Sequence, residues 1–231
     1  MFRQKGISIN RKKAAAYIVV LLVSLSIAAI IIENSLNSNN YVKIIRVACI
    51  GDSITNSGYP DKLQTMLGAN YTVRNFGSNS STVLLNTEKP YIHQPEFIRA
   101  KEFLPDIAVI MLGTNDARTD HFKSIENFVF DYLTLITKLE KLKSEPRIFL
   151  VTPPPIFENA FYLKNVNLVE GIIPKIEQIA NQEDLSIIDV YASLENHPEC
   201  FQVDGVHPDS EGAAIIANEV YNAIILSGEP F

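Results

Sequence analysis

The sequence predicts an α/β protein: a mostly parallel five-stranded sheet covered by helices on both faces and preceded by one N-terminal transmembrane helix. Three observations predict it. Short apolar and β-branched runs, such as 43–50 (KIIRVACI) and 106–112 (DIAVIML), recur along residues 43–231. Segments with apolar residues at three- and four-residue spacing separate them. A run of 19 residues without charge, 14–32, stands ahead of both.

Residues 1–13 carry Arg3, Lys5, Arg11, Lys12 and Lys13, the one basic cluster in the chain. The run Ala14–Ile32 has Ser24 and Ser26 as its polar residues. As a helix it would span about 28 Å at 1.5 Å per residue, close to a bilayer core of about 30 Å. Basic residues on the leading side keep that end in the cytoplasm, so the expectation is a single-pass anchor in the cell membrane with the body outside. The rival is a cleaved signal peptide and a secreted body. A signal peptide has a shorter apolar stretch, about 7–15 residues, ending in small residues. This run ends Ile30-Ile31-Ile32-Glu33, and Ser26-x-Ala28 is a weak cleavage site. Residues 33–42 are a polar linker.

In the body, 43–50 reads as a buried strand, 59–67 as a short helix and 71–76 as a second strand. A helix at 97–104 leads to the continuous apolar strand 106–112. Residues 124–143 place Phe128, Tyr132, Leu135, Ile136 and Leu139 on one helical face with charge behind. The strand 147–151 (RIFLV) stops at Pro153-Pro154-Pro155. A helix at 165–182 contains Pro174, which implies a kink or break. The last strand is 185–190 and the closing helix 210–226.

Composition narrows the function classes. A chain that is 47% hydrophobic and 20% charged can bury a core. A net charge of −6 and a pI near 5.3 give no general attraction to nucleic acid. Cys49 and Cys200 are too few for a disulfide scaffold and lack zinc-ligand spacing; one Cys49–Cys200 disulfide outside the cell is one reading, and two free thiols with Cys49 buried in a strand is the favoured one.

Open parallel sheets bind ligands at the carboxyl ends of their strands, and four polar segments fall there. Gly51-Asp52-Ser53-Ile54-Thr55 follows the first strand; the glycine permits a sharp turn that presents the Ser53 hydroxyl. Asn75-Phe76-Gly77 follows the second, with Gly77 able to bring its N–H close to a ligand. Gly113-Thr114-Asn115-Asp116 follows the third and offers the neutral amide of Asn115 to a developing oxyanion. Asp204-Gly205-Val206-His207-Pro208 precedes the last helix. Each alone reads equally as a turn or a helix cap. Together they supply what an activated serine needs: a nucleophile (Ser53), a base (His207), a carboxylate orienting it (Asp204) and oxyanion donors. His93, His121 and His197 lack such a setting and read as surface or loop residues.

These four segments resemble, in order and spacing, the sequence blocks of the SGNH (GDSL-like) hydrolase family, over residues 44–226. The resemblance implies a three-layer αβα sandwich of the flavodoxin-like type and a serine esterase without metal or organic cofactor. It implies Ser53, Asp204 and His207 as catalytic residues, with the N–H groups of Ser53 and Gly77 and the Asn115 side chain as the oxyanion hole. Relatives often carry a second glycine, as in NxGxSG, where this chain has Ser80 or Ser81. The stretch from Thr82 to Tyr91, with PDIAVIMLGTND after it, is similar to bacterial sialate O-acetylesterase-like members. That implies small acyl, chiefly acetyl, esters on carbohydrates such as sialic acid, with Arg118 available to an anionic sugar or merely an exposed charge. A lysophospholipase or thioesterase of the same fold is the alternative, although no long apolar lid is evident. A non-catalytic cell-surface carbohydrate-binding module is a third reading, against which all three catalytic residue types are present.

Overall fold

The computed structural model describes residues 11–37 and 43–228. The chain divides into two compact units, residues 1–42 and 43–231. In the first, a helix α1 (Arg11–Asn37) covers the uncharged run. Its two serines are satisfied within the helix: Ser24 Oγ donates to Leu21 O at 2.8 Å and Ser26 Oγ to Leu22 O at 2.9 Å. Leu21, Leu22 and Val23 are exposed. Among the described residues no helix is long and apolar enough to cross a membrane. The transmembrane segment expected at 14–32 lies in part outside the described side chains.

The body is built on five strands, β1 (Ile45–Gly51), β2 (Tyr71–Gly77), β3 (Ile107–Met111), β4 (Arg147–Val151) and β5 (Ser186–Ile188). They lie in the order β2-β1-β3-β4-β5, every pairing parallel. Alternation along each strand splits the core in two. Ala48, Ile50, Ala108 and Ile110 face one side, against α4 (Pro95–Glu102), α5 (Phe128–Glu140) and α7 (Ile173–Glu183). Val47, Cys49, Val109 and Met111 face the other, against α3 (Tyr59–Leu67), α8 (Val190–Leu194) and α9 (Ser210–Leu226). This is the expected layered α/β architecture.

Local sequence explains most boundaries. Pro60 at the start and Gly68 at the end delimit α3. Asp209 caps α9, its carboxylate accepting from the N–H groups of Glu211 (2.7 Å) and Gly212 (3.0 Å). Two helices differ from expectation. Residues 121–127 form a 3₁₀ segment, so α5 starts only at Phe128. The helix read at 165–182 is α6 (Asn165–Asn167), a π-type turn (Leu168–Ile172) and then α7. The missing N–H and the ring of Pro174 open the helical ladder there. Both cysteines are free and buried, as read.

Two features of this architecture place the site. The chain leaves β1 toward α3 on one face and β3 toward α5 on the other, so a crevice opens between their carboxyl ends. Helices α3 and α9 pack together through buried Leu63, Ile216 and Val220, each side chain contributing about 1.5–3 kcal/mol by its removal from water. That contact brings the loop before α9 to the loop after β1.

Candidate active site

Four loops meet at the crevice. After β1 the chain turns at Gly51, where a Cβ would lie 2.6 Å from the Met111 carbonyl oxygen. A short helix α2 (Ser53–Asn56) follows, capped by Asp52, whose Oδ1 accepts from Ile54 N at 2.9 Å. Ser53 therefore stands at the first position of that helix.

His207 lies in the turn before α9. Asp204 Oδ1 accepts from the N–H groups of Val206 and His207, both at 2.9 Å. Gly205 has φ 69°, and a Cβ there would collide with the Glu158 carbonyl. Asp204 Oδ2 lies 2.7 Å from His207 Nδ1. A carboxylate can only accept, so Nδ1 carries the proton and Nε2 is left as acceptor. Nε2 is 2.8 Å from Ser53 Oγ, a contact between residues 154 apart in sequence. Partial burial alone would raise the Asp204 pKa; the amides of His207 and Val206 and the imidazole outweigh it and hold the carboxyl below its usual range.

The third loop carries Asn115. Its Nδ2 donates to Ser81 O at 3.1 Å and to Asp52 Oδ2 at 3.3 Å. The neighbouring Asp116 is fully buried and accepts from Val83 N (3.0 Å) and Leu84 N (2.9 Å), which ties this loop to the one after β2. Burial pushes Asp52 up to about 7 and Asp116 up to about 6, against the hydrogen bonds that each receives.

The loop after β2 departs from expectation. A Cβ on Gly77 would lie 2.8 Å from Asn56 Cα and from Asp52 O, so this glycine admits the backbone of α2. The Gly77 N–H donates to Asn75 Oδ1 at 2.8 Å, while Asn75 Nδ2 donates to Thr55 O at 3.0 Å. Asn75 and Gly77 thus brace the serine helix. A cavity of about 740 Å³ has Ser53, His207 and Asn115 on its wall, together with Ser80, and Gly77 is not among the residues lining it. Ser80 occupies a turn closed by Ser81 N donating to Ser78 O at 3.2 Å, and has φ 60°. A left-handed backbone at a serine costs about 1–2 kcal/mol. The signal in the sequence was the second glycine of relatives, replaced here.

Other parts of the wall were not legible. Phe161 and Tyr162 line the cavity from the segment between β4 and α6. His93 and His197 are exposed, as read, but His121 is not a plain surface residue. Its side chain is 9% exposed, and Nδ1 donates to Asn115 O at 2.8 Å. Arg118 is paired with Asp120 at 2.7 Å and Glu88 at 3.1 Å.

The fold is of the layered α/β class with a parallel sheet, and Ser53, His207 and Asp204 meet at the carboxyl ends of its strands. The family model of the GDSL-like lipase/acylhydrolase family matches residues 49–215, and the chain belongs to that family. An acetylxylan esterase of Xylanibacter ruminicola is 34% identical over an alignment of 206 residues that covers 78% of this chain and 43% of that protein; the chain thus spans less than half of that relative's length. Two solved structures share the fold. An aryl esterase of M. smegmatis superposes with TM-score 0.65 at 16% identity, covering 79% of this chain and 99% of its own. A carbohydrate acetylesterase from Sinorhizobium meliloti gives 0.63 at 14%, covering 79% and 99%.

Two outcomes are expected. Folded Asp52 holds its proton up to about 7, whereas the unfolded chain releases it near 3.8. The Asp52 contribution to stability is therefore greatest below the ordinary carboxylate value and falls as pH rises toward and through 7. Asp52→Asn removes that loss, so the melting temperature of the variant relative to wild type should climb between pH 4 and 8; a flat difference contradicts the buried carboxyl. Ser80→Gly relieves the left-handed strain and should stabilise by up to about 1 kcal/mol, read as a raised melting temperature.

Proposed function

We propose that this protein removes acetyl groups from carbohydrate esters through an acyl-enzyme on Ser53. The observation carrying the proposal is the hydrogen-bonded line from Asp204 through His207 to Ser53 Oγ, with steps of 2.7 and 2.8 Å. His207 Nε2 takes the serine proton as Oγ attacks the ester carbonyl, and the imidazolium is stabilised by Asp204. The same proton passes to the leaving sugar oxygen. Water, deprotonated by His207, then attacks the acetyl-serine, releasing acetate and restoring the serine. The oxyanion would be held by the Ser53 N–H and the Asn115 amide. We place the third donor at the Ser80 N–H rather than at Gly77, because Ser80 lines the cavity with Ser53 and Asn115 and Gly77 does not.

The acetylxylan esterase relative supports an acetyl ester on a sugar, as does the fold shared with a carbohydrate acetylesterase. Within that class a neutral sugar is favoured over sialic acid. Arg118, the residue available to an anionic substrate, is already paired with two carboxylates.

We also propose that the run 14–32 anchors the protein in the cell membrane with the body outside. The uncharged run with basic residues ahead of it supports this.

Ser53→Ala should lower kcat for p-nitrophenyl acetate by at least about 10³-fold with an unchanged circular dichroism spectrum, as loss of a serine nucleophile does. Turnover near the wild-type rate in that variant would exclude the serine route. Expressed in full, the chain should sediment with membranes and resist extraction by high salt; recovery as a shortened soluble product would show cleavage instead.

A further inference from the structure

Resting on the carbohydrate reading above, we propose that Phe161 and Tyr162 form a sugar-stacking platform at the mouth of the active site, which takes a neutral pyranose ring of the acetylated substrate. The two side chains are 47% and 75% exposed, and both line the cavity that holds Ser53 and His207. The Phe161 ring meets the His207 imidazole edge to face, with centroids 6.4 Å apart. The platform therefore begins beside the candidate catalytic base.

Adjacent aromatic side chains do not stay exposed in a loop for the sake of stability, since burying them would be favourable. Here the loop is also held rigid. Asn159 Nδ2 donates to Phe157 O (2.8 Å) and Leu163 O (3.1 Å), and its Oδ1 accepts from the N–H groups of Phe161 (3.0 Å) and Leu163 (3.3 Å). Thr119 donates to the Tyr162 carbonyl through both N (3.3 Å) and Oγ1 (3.2 Å). Tyr162 itself has φ 60°. A bulky residue in that region is strained, and such strain persists where surrounding bonds over-determine the conformation and a ligand benefits from it. Thr119 lies four residues beyond Asn115, so the bonds that fix the platform also tie it to the segment carrying that amide.

The chemistry of the rim selects the ligand class. The axial C–H bonds on one face of a pyranose are weakly positive and complement the negative face of an aromatic ring. The hydroxyl groups at the ring edge need polar partners, and Asn79 and Lys123 on the same cavity wall provide them. A long acyl chain would leave those polar groups desolvated and unpaired. Two exposed aromatic side chains and a polar rim fit a sugar better than a lipid tail.

The chain contains no tryptophan, so Tyr162→Trp installs a single fluorescent reporter on the platform. Titrating this variant with non-acetylated xylo-oligosaccharide should shift and saturate its emission, with no turnover required. In parallel, Tyr162→Ala should raise KM for acetylated xylo-oligosaccharide about 5- to 10-fold while kcat stays within about 2-fold. KM for p-nitrophenyl acetate should move less, and Tyr162→Trp should restore the oligosaccharide value. An emission spectrum indifferent to the oligosaccharide, or KM changes of equal size on both substrates, would overturn the platform. Saturable binding without release of acetate from the sugar would leave the platform standing and remove the carbohydrate-deacetylation reading.

Discussion

The hydrogen bond between Ser53 and His207 joins residues 154 positions apart, and nothing local holds either partner against the other. It exists because α3, which follows the serine, and α9, which follows the histidine, are buried against each other on one face of the sheet. The polar geometry of the site is thus set by apolar packing some turns away. Lys62 Nζ, which donates to Ser210 Oγ at 3.0 Å, adds a polar tie between the same two helices.

The other two loops are organised by carboxylates that the chemistry does not consume. Asp52 and Asp116 are fully buried, and each accepts backbone or amide hydrogen bonds from neighbouring segments. Burying charge is costly unless it is hydrogen-bonded, and the upward displacement of both carboxyls expresses that cost. In return the GDS turn, the Asn115 loop and the Val83–Leu84 segment are fixed relative to one another. Acidic residues at the second position of one motif and the last of another therefore serve architecture here.

Much of this was legible in the sequence. The helix over 59–67 and the closing helix at 210–226 fall where spacing puts them, because Pro60, Gly68 and Asp209 mark their ends chemically. Ser53, Asp204 and His207 were legible because they follow strands or precede a helix at positions where a parallel sheet gathers its loops. Gly77 was expected as an oxyanion donor on the strength of being a glycine, but a glycine signals that a Cβ is not tolerated, and says nothing about what takes its place. The space is filled by the backbone of α2, not left for a ligand. His121 was read as a surface or loop residue, and its partial burial was not legible because its partners, Glu88, Arg118 and the Asn115 carbonyl, come from loops whose approach no periodicity encodes. Phe161 and Tyr162 were passed over likewise, since an irregular segment has no face from which to infer direction.

The two buried thiols carry one more implication. Cys49 sits in β1 with burial pushing it up to about 12, and Cys200 is enclosed on the same side of the sheet. Sulfur reacts with oxidants and with other disulfides as the thiolate, and Cys49 is kept in the neutral form. The fold consequently has no covalent staple to lose under reductants and a sluggish thiol to offer under oxidants. Its integrity should be largely indifferent to redox potential.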